Sequence, residues 1–67
     1  MRIPRNVSGI KLASLLKKYG YVVVRQTGSH LRLTTSIHGE HHITIPKHDE
    51  LRVGTLKSIL DDVADHL

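Results

Sequence analysis

The dipeptide Gly28-Ser29 constrains the fold of this chain more than any other feature. Before it, Tyr21-Val22-Val23-Val24-Arg25-Gln26-Thr27 is β-branched and aromatic, the composition of a strand. After it, His30 to Thr35 alternates: Leu31 and Leu33 point one way, His30, Arg32 and Thr34 the other. Two residues can join antiparallel strands when the first tolerates positive φ. Glycine does, so the pattern predicts a hairpin closed by a type II′ turn.

The rest of the chain extends this hairpin. Ser36 to Glu40 is polar and contains Gly39, which reads as a longer turn. His41 to Ile45 is a third strand, with Ile43 and Ile45 on one face and His42 and Thr44 on the other, ended by Pro46. On the N-terminal side, Ser8 is a good N-cap and Gly20 a good C′ residue. Between them Leu12, Ala13, Leu15, Leu16 and Tyr19 share one helical face, and Lys11, Ser14, Lys17 and Lys18 lie opposite. Past the loop of Lys47 to Arg52, Leu56, Ile59, Leu60, Val63 and Leu67 form a second helical stripe, on a helix from about Val53 to Ala64. The predicted architecture is α+β, in the order α-β-β-β-α. A three-stranded antiparallel sheet is covered on one face by both helices. Its other face is open and carries His30, Arg32, Thr34, His42 and Thr44. Met1 to Val7 reads as an arm.

With 67 residues, the chain is read as one domain spanning residues 1–67, and its core is small. It has no Phe, Trp or Cys, so that core is aliphatic and has no disulfide or thiolate–metal staple. No apolar run reaches the roughly 18 residues of a membrane span, and no signal-type apolar segment follows the basic N-terminus. The expectation is a soluble, cytoplasmic protein with no membrane association.

Charge is unevenly placed. Residues 1–39 hold seven bases and no acid, whereas residues 40–67 hold three bases and six acids. A basic block of this kind points to an anionic partner, nucleic acid foremost. The plainer reading is a solvated basic surface.

His30 follows the Gly-Ser turn directly. Histidine is the side chain type suited to taking or giving a proton near neutral pH, and a tight turn would hold this one in a fixed frame, as a proton-transfer group requires. Alone, Gly-Ser-His is as compatible with an exposed strand histidine that does nothing. It is joined here by Ile43-Thr44-Ile45-Pro46-Lys47-His48, by Leu51 and by Gly54-Thr55-Leu56-Lys57-Ser58-Ile59-Leu60. In this order, with Ser8-Gly9 and Tyr19-Gly20-Tyr21, the chain resembles the HicA family of small toxins over nearly its whole length.

The resemblance implies a double-stranded-RNA-binding-domain-like fold and an mRNA interferase, an endoribonuclease that arrests translation. It implies a HicB-type antitoxin as partner, forming a hetero-oligomer, and His30 as the catalytic residue. The family's second helix often ends in a small-residue turn. This chain has Asp61-Asp62-Val63-Ala64-Asp65-His66-Leu67 instead. Three aspartates there oppose the helix dipole, so the last turn is expected to fray unless a partner supplies positive charge.

RNA carries its own nucleophile, the 2′-hydroxyl, and a neutral His30 could take its proton. Gly28 and Ser29 would shape the turn, with a backbone N–H able to face a phosphate. Arg32 shares the face of His30 and could hold phosphate. Lys47 and His48 follow the third strand, with His48 a candidate for the opposing acid. Lys11, Lys17 and Lys18 could track an RNA backbone, giving low sequence specificity and strong salt dependence. Tyr19 is assigned to the core. For each of these the plain alternative is ordinary surface polarity. Gly54 is read as permitting close packing, and Thr55 as satisfying a first-turn amide. No cofactor is expected. A zinc site built from His38, His41, His42 and His48 lacks cysteine and a His-Glu-x-x-His pattern, and His41 and His42 must point to opposite faces. Two rival readings remain open: a non-catalytic RNA-binding module of the same fold, and an interaction subunit that docks an acidic partner.

Overall fold

The computed structural model describes residues 6–67, so most of the N-terminal arm lies outside the described residues. The chain runs through α1 (Gly9–Leu16), a 3-10 turn (Lys17–Tyr19), β1 (Val22–Thr27), β2 (His30–Thr35), β3 (His41–Pro46) and α2 (Val53–His66). The sheet is antiparallel with strand order β1-β2-β3. This is the α+β arrangement the sequence predicts.

Both helices rest on the face built by Leu31, Leu33, Ile43 and Ile45. They contribute Leu12, Ala13 and Leu16 from α1 and Leu56, Ile59, Leu60 and Val63 from α2 to one buried cluster. Burying a side chain of this size is worth about 1.5–3 kcal/mol, so the interior, aliphatic but for Tyr21, suffices to define the two layers. Ser8 caps α1 as expected, its Oγ accepting the Lys11 amide at 3.0 Å. Gly20 takes the left-handed conformation after the 3-10 turn.

Of the two tyrosines it is Tyr21, and not Tyr19 as expected, that enters the core. The helical period assigns Tyr19 to the core, but α1 stops at Leu16 and the chain tightens to three residues per turn. That rotation turns Tyr19 outward, 40% exposed, while Tyr21, read as the first strand residue, is fully buried. Leu67 also departs from its stripe and is exposed.

The C-terminal turn does not fray. It stays helical to His66, and the Leu67 amide reaches the Val63 carbonyl. Hydrogen-bond partners for this turn come from within the chain. His41 Nε2 lies 3.3 Å from Asp62 Oδ1, and His66 stacks on His41 with ring centroids 4.5 Å apart. His66 Nε2 also lies 3.0 Å from both the Ile37 and Gly39 carbonyls, tying α2 to the β2–β3 turn.

Candidate active site

Thr27 and His30 are register partners that close the first hairpin. Gly28 has φ of 56°, and Ser29 is not among the positive-φ residues. That sign pattern belongs to the type II′ turn and excludes type I′, which needs positive φ at both positions. The turn is also fastened from the far side of β2. His30 pairs with Pro46 on β3, and the Lys47 amide donates to the Ser29 carbonyl at 2.6 Å. The loop after β3 is held in turn by α1, because the Gly9 amide donates to the His48 carbonyl at 2.9 Å. Gly9 is required for that approach: any Cβ there would run into the Pro46 carbonyl. Ser8-Gly9, Gly28-Ser29-His30 and Pro46-Lys47-His48, far apart in sequence, form one locked corner.

His30 is exposed on the open face of the sheet. Arg32 stands two residues along the same face, as the alternation predicts. Arg25 joins it, and the sequence reading missed this. The β1–β2 register shifts between Val23 and Arg25, so Val24 is bulged and Arg25 pairs directly with Arg32. Arg25, Thr27, His30, Arg32 and Thr44 line a shallow depression of about 300 Å³. Among the described residues, no carboxylate forms an ion pair with either arginine.

On its other side His30 borders a cleft of about 520 Å³, shared with Thr44, Pro46, Gly54, Thr55, Ser58 and Ile59. The cleft meets the first turn of α2. No side chain caps that turn, so Thr55 does not satisfy its amides as read from sequence. The free N–H groups carry the positive end of the helix dipole. Gly54 is not a close-packing residue either, since a Cβ there would meet open space. It keeps this cleft wide.

The remaining candidates separate. Lys11, Lys17 and Lys18 are exposed on α1 and its 3-10 extension, on the layer opposite the His30 face. Lys17 and Lys47 line a third hollow, between α1 and β1. His48 presents its backbone to Gly9, and its exposed side chain lines none of these three hollows. His41 and His42 point to opposite faces: His41 meets Tyr21 and Asp62, and His42 Nε2 lies 2.9 Å from Glu40. Among the described residues, no three potential ligands gather as a metal site, and no helix is long and apolar enough to cross a membrane.

The sequence model of a family described as "HicA toxin of bacterial toxin-antitoxin" matches residues 9–64. The chain belongs to the HicA toxin family. The matched span runs from Gly9 at the locked corner to Ala64 in α2, and so takes in every element that frames His30. No curated protein and no solved structure matches the chain. As a HicA toxin it is one half of a toxin–antitoxin pair, with a cognate antitoxin as its partner.

Proposed function

We propose that this HicA toxin is an endoribonuclease that cleaves mRNA in the cytoplasm, with His30 as its proton-transfer residue and a HicB-type antitoxin to neutralise it. The observation that carries the reading is the meeting of His30 with an arginine pair that has no carboxylate partner. Two guanidiniums directly opposite each other on a sheet repel, and like charges in that position are destabilising. A bound phosphodiester reverses the sign of that interaction. Guanidinium forks suit phosphate oxygens and stabilise charge that develops on them.

The chemistry then needs little else. Neutral His30 takes the proton of an RNA 2′-hydroxyl while that oxygen attacks the adjacent phosphorus. The bond from phosphorus to the 5′-oxygen breaks, and the leaving oxygen takes up a proton. The products are a 2′,3′-cyclic phosphate and a 5′-hydroxyl. Arg25 and Arg32 neutralise the phosphate, and the uncapped turn of α2 adds N–H donors on the far side of His30. Because the substrate supplies its own nucleophile, no step requires a metal to generate one. The Gly28-Ser29 turn and the Lys47–Ser29 hydrogen bond fix the imidazole's frame. Recognition rests on phosphates rather than on stacked bases, so specificity for sequence is low.

The test is cleavage of RNA by purified protein in excess chelator, wild type beside His30→Ala, with folding checked by circular dichroism. A general base is typically worth about 10²–10⁴-fold, and a loss of that order in a folded variant is expected. Equal cleavage by both proteins would remove His30 from the mechanism. RNA binding without cleavage by either would favour the RNA-binding module.

A further inference from the structure

β1 is an end strand of the sheet, and among the described residues no loop or turn backbone hydrogen bond reaches its outer edge. It is also apolar where an edge strand is normally guarded by charge. Val22, Val23 and Val24 are 52%, 44% and 56% exposed. Val23 pairs with buried Leu33, so it lies on the helix-bearing face, yet α1 does not cover it. Between them is a groove of about 390 Å³, lined by Ile10 and Ala13 from α1, by Lys17 from the 3-10 turn, by Val23 and Leu31 from the sheet, and by Lys47. Ile10 is 57% exposed beside it. A run of exposed valines on an open edge invites indiscriminate pairing unless something covers it.

The occupant follows from the chemistry of the walls. RNA gains nothing from three valines and an isoleucine. A second copy paired through the same edge would bring Lys17 and Arg25 against like charge, since residues 6–39 hold no acid at all. An acidic protein segment satisfies both parts of the surface: alternate apolar side chains enter the groove and carboxylates meet Lys17 and Lys47. We propose that the β1 edge and the Ile10–Val23 groove receive an extended, acidic segment of the cognate antitoxin, added as a fourth strand. The six residues of β1 match a segment about 20 Å long. The bulge at Val24 limits where that segment can stay in register. The Ile10–Val23 groove lies on the layer opposite the arginine pair. The proposal rests on membership of a toxin–antitoxin family and is independent of the RNA chemistry.

The test is amide hydrogen exchange on the full chain, alone and in complex with its co-expressed antitoxin. Exchange at Val22 to Thr27 should slow by about tenfold or more on complex formation, as edge amides gain partners. In a parallel binding measurement, Ile10→Asp and Val23→Asp should each weaken the complex by roughly tenfold or more, because they set a carboxylate against an acidic segment. Ile10 is exposed near the start of α1, where aspartate is tolerated, so the first variant remains informative if the second fails to fold. RNA cleavage by Ile10→Asp should equal that of the wild type, which separates this result from any failure of the nuclease reading. Protection confined to the His30 turn or to β3 overturns the proposal. So does a β1-mediated dimer of the chain alone, or an Ile10→Asp protein that binds antitoxin as tightly as the wild type.

Discussion

Arg25 and Arg32 stand opposite each other across the β1–β2 ladder, on the face that carries His30. Their pairing exists only because Val24 is bulged out of register. Such a cross-strand pair costs stability, roughly 0.2–1 kcal/mol for like charges. Arg25→Ala should therefore raise or leave unchanged the melting temperature while it weakens RNA binding. Removing one phosphate contact should lower the slope of log K against log salt by about 0.7 for single-stranded RNA. Binding titrations at several salt concentrations, beside thermal melts, measure both effects. An Arg25→Ala protein that is less stable and binds RNA with an unchanged salt slope would show the arginine to be structural.

The glycines at the starts of the two helices should respond in opposite ways to alanine. Gly9 lies against the Pro46 carbonyl with no room for a Cβ, so Gly9→Ala must move the loop that holds Ser29. Overpacking of this kind costs about 1–3 kcal/mol, and cleavage should fall with it. Gly54→Ala meets open space and gains helix propensity, up to about 1 kcal/mol. Its methyl group nevertheless intrudes on the cleft beside His30, so a more stable but slower enzyme is expected. Chemical denaturation and cleavage rates on both variants check the pair. A Gly9→Ala protein as stable as the wild type would dissolve the locked corner.

Where the sequence could be read, the reason is periodicity close to a strong local signal. The β2 and β3 alternation, the Gly28-Ser29 turn, the Ser8 cap and the α2 stripe through Val63 depend on neighbours within a few residues. Arg25 could not be placed that way. Val22-Val23-Val24 is uniformly β-branched, with no glycine to mark the bulge, and the shift is set by pairing with β2. Tyr19 was misplaced in the core because the change from an α to a 3-10 turn at Lys17 leaves no mark in composition. The contacts of Asp62 and His66 join residues more than 20 positions apart, so the aspartates looked unanswered in sequence. At the site, the Gly-Ser-His motif located His30. The alternation put Arg32 and Thr44 on its face, whereas Arg25 was legible only from the sheet register, and the closeness of the uncapped α2 turn to His30 only from how α2 meets β3.

The buried tyrosine makes a prediction about alkaline stability. Tyr21 Oη lies 2.5 Å from His41 Nδ1, and His41 Nε2 faces Asp62. In the tautomer with hydrogen on Nε2, the phenol donates to Nδ1 and the Nε2–H donates to the carboxylate, which links the residue leading into β1 to β3 and α2. Burial, and secondarily the negative charge of Asp62, raise the Tyr21 phenol above its ordinary value of 10.0. Below about pH 10 the phenol is protonated in both folded and unfolded chains, so it adds no pH dependence. Above that, the unfolded tyrosine ionises first and the folded state binds more protons. Stability must then fall as pH rises through the higher folded pKa. Tyr21→Phe should lose this alkaline dependence. It should also lose about 1 kcal/mol at neutral pH, from the hydrogen bond and the unpartnered His41 nitrogen it leaves. Denaturant unfolding from pH 7 to 11 on both proteins measures the difference. Parallel curves above pH 10 would mean that Tyr21 is not the group responsible.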